Sequence, residues 1–142
     1  MAFVFPFSEL SLNDVARVGG KTAALGELTR TMVPKGIRVP GGFAVDADAY
    51  RYFLRDSGLE GKMSTALKAF ADGTQPLAAT GRTLRELIVA APIPADLQAA
   101  ITGAYRALSD EAGQKDLSVA VRSSATAEDL PDASFAGQQE TY

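Results

Sequence analysis

The chain has 142 residues, of which 46% are hydrophobic and 22% are charged, so it is long and apolar enough to bury a core as one domain. Its 14 basic and 17 acidic residues give a net charge of −3, which argues against a nucleic-acid-binding surface. Cysteine and histidine are both absent, which excludes disulfides, thiolate metal sites and histidine-based acid–base catalysis within this chain. No apolar run approaches the ~20 residues of a membrane span, and the signal-peptide pattern is missing, so we expect a cytoplasmic protein without membrane contact.

The first third of the sequence predicts a strand, a capped turn and a helix. Residues 3–5 form a short apolar strand, and Ser11 with an aspartate three residues later has the pattern of a capping box. A helix is expected to begin at Gly20 and to end at Pro34. Residues 38–45 follow as an extended segment with a proline and two glycines that mark an edge or a bend.

Four further helices are predicted from apolar residues at helical spacing, the first of them capped by Asp46. The last two would form a helical hairpin over residues 76–109 that supports the fold rather than a site. Leucine, aromatic and similar residues on one face of each of the five helices are expected to point inward. They are Ala24, Leu25, Leu28 and Met32; Tyr50, Phe53 and Leu54; Met63, Leu67 and Phe70; Leu77, Leu84, Leu87, Ile88 and Ala91; and Leu97, Ile101, Ala104, Tyr105 and Leu108.

The last segment carries the residues best suited to an anion. Apolar and polar residues alternate from Leu117 to Arg122, which predicts a strand that ends on an arginine. Ser123 and the small residues that follow offer hydroxyls and accessible backbone N–H groups, which suit a phosphate. A loop of this composition, by itself, is equally typical of an ordinary turn.

A second phosphate-suited segment lies near the start of the chain. Gly19 and Gly20 precede Lys21 at the beginning of the first helix. A helix N-terminus attracts anions through its N–H groups and dipole, and a lysine adds a mobile cation. The segment lacks the spacing of a Walker A motif. From residue chemistry alone, a helix preceded by flexible glycines, with a solvated lysine, is favoured over a phosphate site.

Three motifs together closely resemble the N-terminal ATP-binding domain of the phosphoenolpyruvate synthase (pyruvate, water dikinase) family. They are Asn-Asp-Val-Ala-Arg-Val-Gly-Gly-Lys at residues 13–21, Val-Pro-Gly-Gly-Phe-Ala at 39–44, and Val-Arg-Ser-Ser-Ala-Thr-Ala-Glu-Asp at 121–129 running into Asp-Ala-Ser-Phe-Ala-Gly-Gln-Gln-Glu-Thr at 132–141. Rifampicin phosphotransferases share much of the last motif, and pyruvate, phosphate dikinases depart from it more. The motifs span the chain from end to end.

The resemblance implies a helix-rich α/β (α+β) fold with a small mixed sheet, in which residues 1–142 are the N-terminal portion of an ATP-grasp domain. It also implies that ATP phosphorylates a histidine on a separate domain, which then phosphorylates pyruvate. Since this chain has no histidine, we expect it to be inactive alone and to meet pyruvate only through domains that it lacks.

The resemblance assigns the ATP contacts to particular residues. In the family, the Gly-Gly-Lys lysine and the Val-Arg-Ser-Ser arginine contact nucleotide phosphates, which corresponds to Lys21 and Arg122. Gly137 and Thr141 match ATP-contacting positions, by backbone and hydroxyl respectively, and Ser123 begins the loop that would close over the phosphates. Mg²⁺ is expected to accompany ATP, with its ligands outside this chain, so no residue is predicted as a metal ligand.

Two alternatives remain open at this point. An antibiotic-inactivating phosphotransferase would keep the same ATP site and change only the acceptor, whereas a truncated, non-catalytic domain would bind nucleotide weakly or pack against partners. Residues 137–142 are expected to leave an unpaired strand edge, which would favour a homodimer.

Overall fold

A computed structural model of the chain describes residues 2–126 in full and, beyond them, only the backbone of Asp129–Leu130 and Ala133–Ser134. The described structure is 64% helical, which confirms the helix-rich α+β class. In chain order the elements are β1 (Val4–Pro6), two 3₁₀ turns (Phe7–Glu9 and Leu12–Asp14), α1 (Val15–Val18), α2 (Gly20–Met32), a third 3₁₀ turn (Val33–Lys35), β2 (Phe43–Val45), α3 (Ala47–Asp56), α4 (Leu59–Ala71), α5 (Leu77–Ala90), α6 (Ala95–Glu111), β3 (Asp129–Leu130) and β4 (Ala133–Ser134).

The chain divides into two compact units. One unit comprises Met1–Ala49 and Ala99–Tyr142, and the other comprises Tyr50–Gln98. Because the division falls inside α6, the helical hairpin over residues 76–109 and the single domain over residues 1–142 stay predictions.

The sheet of the first unit is a pair of short antiparallel strands. Val4 of β1 lies opposite Val45 of β2, and the Phe7 backbone N–H donates to the Gly42 carbonyl at 3.0 Å just past the strand end. The backbones of β3 and β4 also pair antiparallel, so the sheets among the described residues are antiparallel rather than mixed. Two-residue and three-residue strands carry little stability alone, so packing must hold this sheet in place.

The core of the first unit lies between the sheet, the 3₁₀ turns and α2. Its buried members are Leu10, Val18, Ala23 and Ala44, with Phe5 and Phe7 packed against them.

The buried face of α2 agrees only in part with the predicted one. Leu25 and Met32 are half-buried as predicted, whereas Ala24 is exposed and Leu28 is 42% exposed. The fully buried residues of α2 are Ala23 and Gly26. A Cβ atom on Gly26 would lie 2.6 Å from the Leu10 Cβ, so only a glycine admits this approach of the 3₁₀ segment. The prediction missed Ala23 and Gly26 because it followed the spacing of the larger apolar residues, whereas the close approach of Leu10 places the smallest residues of α2 at the contact.

The two predicted caps are confirmed. Ser11 accepts a hydrogen bond from the Asn13 N–H, and its own backbone N–H donates to Asp14 at 2.9 Å, as a capping box requires. Asp46 Oδ1 accepts a hydrogen bond from the Ala49 N–H at 2.9 Å and so caps α3. Its carboxylate thereby fixes where β2 turns into helix.

The second unit packs α4 against α5. Leu59, Ala66 and Thr80 are buried, and the Thr80 hydroxyl donates to the Pro76 carbonyl at 3.2 Å. The helices form where the sequence predicts them, and their predicted faces are confirmed in part. Four residues predicted to point inward are exposed: Tyr50, Leu67, Phe70 and Leu77. The others are half-buried: Phe53, Leu54, Met63, Leu84, Leu87, Ile88 and Ala91. Periodicity locates an apolar stripe, but the angle at which a neighbouring helix meets it decides which residues are covered.

Helix α6 agrees with its predicted face. Leu97 is buried, and Ile101, Ala104, Tyr105 and Leu108 are half-buried. Among the described residues no single helix is long and apolar enough to cross a membrane; α5 and α6 meet the length and composition test only as a bent pair.

The strand predicted to end at Arg122 does not form over residues 117–121. Only Arg122 makes an isolated β-bridge, and Val119 and Val121 are 43% and 61% exposed. The Leu117 carbonyl instead accepts a hydrogen bond from the Tyr105 hydroxyl at 2.8 Å. Alternation predicts extended backbone, but a strand needs a partner for its backbone groups, and the described residues supply none along 117–121.

The Asp46 carboxylate is expected to contribute strongly to stability. Asp46→Ala removes an N-cap worth about 1 kcal/mol and a charge-assisted hydrogen bond from Arg17 worth about 2 kcal/mol, so the free energy of unfolding should fall by about 3 kcal/mol. Asp46→Asn keeps a capping oxygen and should lose less. Urea unfolding measures both, with Glu111→Gln, an exposed carboxylate of α6, as the control. An equal loss of unfolding free energy in the alanine and asparagine variants would contradict a role both as N-cap and as partner of Arg17.

The capping box should make stability depend on pH. The hydrogen bonds from the Ser11 backbone N–H and then its hydroxyl hold the pKa of Asp14 below its ordinary value of 3.8. Stability from a carboxyl with a lowered pKa is fully present above the unfolded value and is lost as pH falls through the folded value. The stability advantage of the wild type over Asp14→Asn should therefore begin to shrink as pH falls below 3.8, and it should vanish only below the lowered folded-state pKa of Asp14. Urea unfolding across a pH series tests this, and a constant advantage would contradict it.

Candidate phosphate-binding site

The two phosphate-suited segments meet in the structure. The Thr22 backbone N–H, in the first turn of α2, donates to the Ser124 hydroxyl oxygen at 3.4 Å, across a separation of 102 residues in sequence. The sequence indicated each segment separately as suited to an anion. Their contact, which sequence alone did not establish, supports one shared site.

Gly19 makes this contact possible. Its φ of 79° and ψ of 160° fall in a region that is essentially restricted to glycine. A Cβ atom there would lie 2.7 Å from the Ala125 carbonyl oxygen and 2.9 Å from the Ser124 carbonyl carbon. The glycine is therefore needed both for the bend between α1 and α2 and for the close approach of the loop.

Lys21 and Arg122 are carried by the two segments in contact. Lys21 lies in the first turn of α2 and is exposed, and Arg122 is exposed two residues before Ser124. The first turn of α2 contains no acidic residue, so no carboxylate of that turn competes for its N–H groups. The helix dipole, the lysine and the arginine all favour an anion here.

A residue that the sequence analysis passed over holds α1 in place before the site. Arg17 Nε donates to Asp46 Oδ2 at 3.0 Å, and the Arg17 guanidinium carbon lies 3.6 Å from the centroid of the Phe5 ring. The Asp46 side chain is 2% exposed, so this ion pair is shielded from water on one side. Arg17 lies inside the motif at residues 13–21, but only the tertiary structure shows its partner.

The remaining predicted site residues are described only in part. Ser123 is exposed beside Ser124. Gly137 and Thr141 lie outside the described residues, as does the segment predicted to promote a homodimer, so their roles stay predictions. Across the part of the chain that the structure describes, no group of three or more acidic side chains could hold a metal ion.

A cavity of ≈ 350 Å³ lies in the second unit, and its lining includes Leu59, Lys62, Thr83 and Glu86. None of the residues predicted to contact ATP lines it. Most of its lining residues lie on α4 and α5 rather than on α2, so the cavity does not change the assignment of the site.

Comparison with known proteins agrees with these features. Residues 15–142 match the family described as pyruvate phosphate dikinase, AMP/ATP-binding domain. The chain is 52% identical to a phosphoenolpyruvate synthase of Neisseria meningitidis and 50% identical to one of Pseudomonas aeruginosa, in each case over 99% of the chain. A phosphoenolpyruvate synthase of Escherichia coli is 47% identical over 96% of the chain.

The matched segment is a small part of these relatives. The chain spans 18% of the Neisseria and Pseudomonas proteins and 17% of the Escherichia protein. The family match nevertheless covers most of the chain and includes both segments that meet at α2. The chain belongs to the pyruvate phosphate dikinase AMP/ATP-binding domain family.

Proposed function

We propose that this chain holds the phosphates of ATP between the first turn of α2 and the loop after Arg122, as the nucleotide-binding part of a phosphoenolpyruvate synthase. The observation that carries the proposal is the contact of Ser124 with Thr22, because it joins the two segments suited to phosphate. Membership of an ATP-binding domain family supports ATP as the anion.

The chemistry assigned to these residues is electrostatic. Phosphoryl transfer needs positioning and neutralisation of charge more than covalent groups. The Arg122 guanidinium offers a planar set of donors that fits phosphate oxygens, and Lys21 offers a mobile point charge. Backbone N–H groups at the start of α2 add fixed donors, so the described residues suit binding and orientation of the nucleotide.

The acceptor of the phosphoryl group is assigned to other parts of the protein. This chain has no histidine, so the phosphohistidine that would pass the group to pyruvate must be supplied elsewhere. The relatives are named phosphoenolpyruvate synthases, which favours the synthase over the rifampicin phosphotransferase alternative. An ATP-grasp domain, MgATP as the nucleotide and a cytoplasmic location are parts of the same proposal.

Binding of ATP should depend on both cations. We expect the 142-residue chain to bind ATP weakly, with a Kd on the order of 0.1 mM or higher. Lys21→Ala and Arg122→Ala should each weaken binding by roughly tenfold or more, because each removes a charge-assisted contact. NMR titration follows binding in this range.

Lys35→Ala is the matched control, because Lys35 is an exposed lysine in the 3₁₀ turn after the other end of α2. It should leave the affinity unchanged. An equal effect of all three substitutions would indicate general attraction of an anion and would rule out the proposed site.

The activity of the whole protein can be tested by exchange of the matching segment. The N. meningitidis phosphoenolpyruvate synthase with its matching 141-residue segment replaced by this chain should form phosphoenolpyruvate from pyruvate and ATP. Lys21→Ala in the same chimera should lower kcat/KM by roughly tenfold or more. A folded chimera that binds ATP but forms no product would refute the synthase assignment and leave nucleotide binding standing.

A further inference from the structure

Helix α2 lacks the usual side-chain cap at its N-terminus. The N-cap position is occupied by Gly19, which has no side chain to accept a hydrogen bond from the first turn. An N-cap oxygen ordinarily bonds the N–H two or three residues into the helix. Without such an oxygen, the first-turn N–H groups need another partner.

Ser124 supplies that oxygen from a distant part of the chain. Thr22 is the third residue of α2, and its N–H donates to the Ser124 hydroxyl oxygen. The hydrogen bond is long at 3.4 Å, so it is weak by itself. The packing of the 124–125 backbone against Gly19 reinforces it, and the Ser124 side chain is half-buried.

The cap and the arginine belong to the same loop. Arg122 precedes Ser124 by two residues, and its own side chain is exposed, so the contact at Ser124 limits where the Arg122 backbone can lie. Lys21, by contrast, belongs to α2 itself, so the helix sets the position of its backbone.

We propose that Ser124 is a positioning residue for nucleotide binding: its hydroxyl caps α2 and thereby holds Arg122 at the phosphates. The inference rests on the proposed function, because it assigns a role within the same site. Under this proposal, the hydrogen bond that caps α2 also fixes the position of Arg122.

The test is a double-mutant cycle on ATP affinity, read by NMR titration of the 142-residue chain. Ser124→Ala should weaken ATP binding by roughly three- to thirtyfold, the range of a lost N-cap. In the Ser124→Ala background, the loss of ATP affinity caused by Arg122→Ala should be several-fold smaller than in the wild type. The loss caused by Lys21→Ala should be the same in both backgrounds. The Thr22 amide resonance should also shift in Ser124→Ala without nucleotide.

Two further variants complete the design. Ser118→Ala removes a hydroxyl from an exposed serine of the preceding segment and should change neither affinity nor the Thr22 resonance. Ser124→Cys keeps the shape of the side chain with a larger sulfur that is only a weak acceptor, so it should behave like Ser124→Ala and serves as the second variant if the alanine variant fails to fold.

The outcomes separate the inference from the proposed function. An equal loss of ATP affinity from Arg122→Ala in both backgrounds would overturn the positioning role. Tighter ATP binding by Ser124→Ala would also overturn it, because the hydroxyl would then occupy the place of a phosphate and be displaced when ATP binds. No ATP binding by the wild type would overturn the proposed function before any variant is made.

Discussion

The buried carboxylate of Asp46 is the interaction on which the first unit depends. One oxygen caps α3 through the Ala49 N–H, and the other accepts a hydrogen bond from Arg17 on α1. Arg17 in turn lies over the ring of Phe5 in β1. The Asp46 side chain therefore links two helices directly, and a strand through Arg17, which compensates for a sheet too short to be stable alone.

The position of α1 matters because α1 leads directly into the candidate site. Helix α1 ends at Gly19, whose backbone conformation sends the chain into α2 and leaves room for residues 124–125. A larger residue at either Gly19 or Gly26 would collide with neighbouring main chain or with Leu10. Close packing at Gly19 thus brings the start of α2 against the loop that carries Arg122, and close packing at Gly26 brings the helix against Leu10.

This arrangement suits a protein that holds a nucleotide rather than one that performs covalent chemistry on it. The groups presented by the described residues are a lysine, an arginine, hydroxyls and helix N–H groups, all of which favour phosphate without reacting with it. The family to which the chain belongs is defined by ATP binding, and the chain spans only 18% of its Neisseria relative.

The sequence by itself determined the helices, the caps at Ser11 and Asp46, and the two phosphate-suited segments, because these depend on local spacing and on residue chemistry. The tertiary structure alone decided that Ala23 and Gly26 are the fully buried residues of α2, why residues 117–121 form no strand, and that Arg17 pairs with Asp46. It also decided that Ser124 lies against Thr22. Such contacts join residues far apart in the chain, so local spacing does not predict them. Their distances depend on how closely small residues allow two backbone segments to pack.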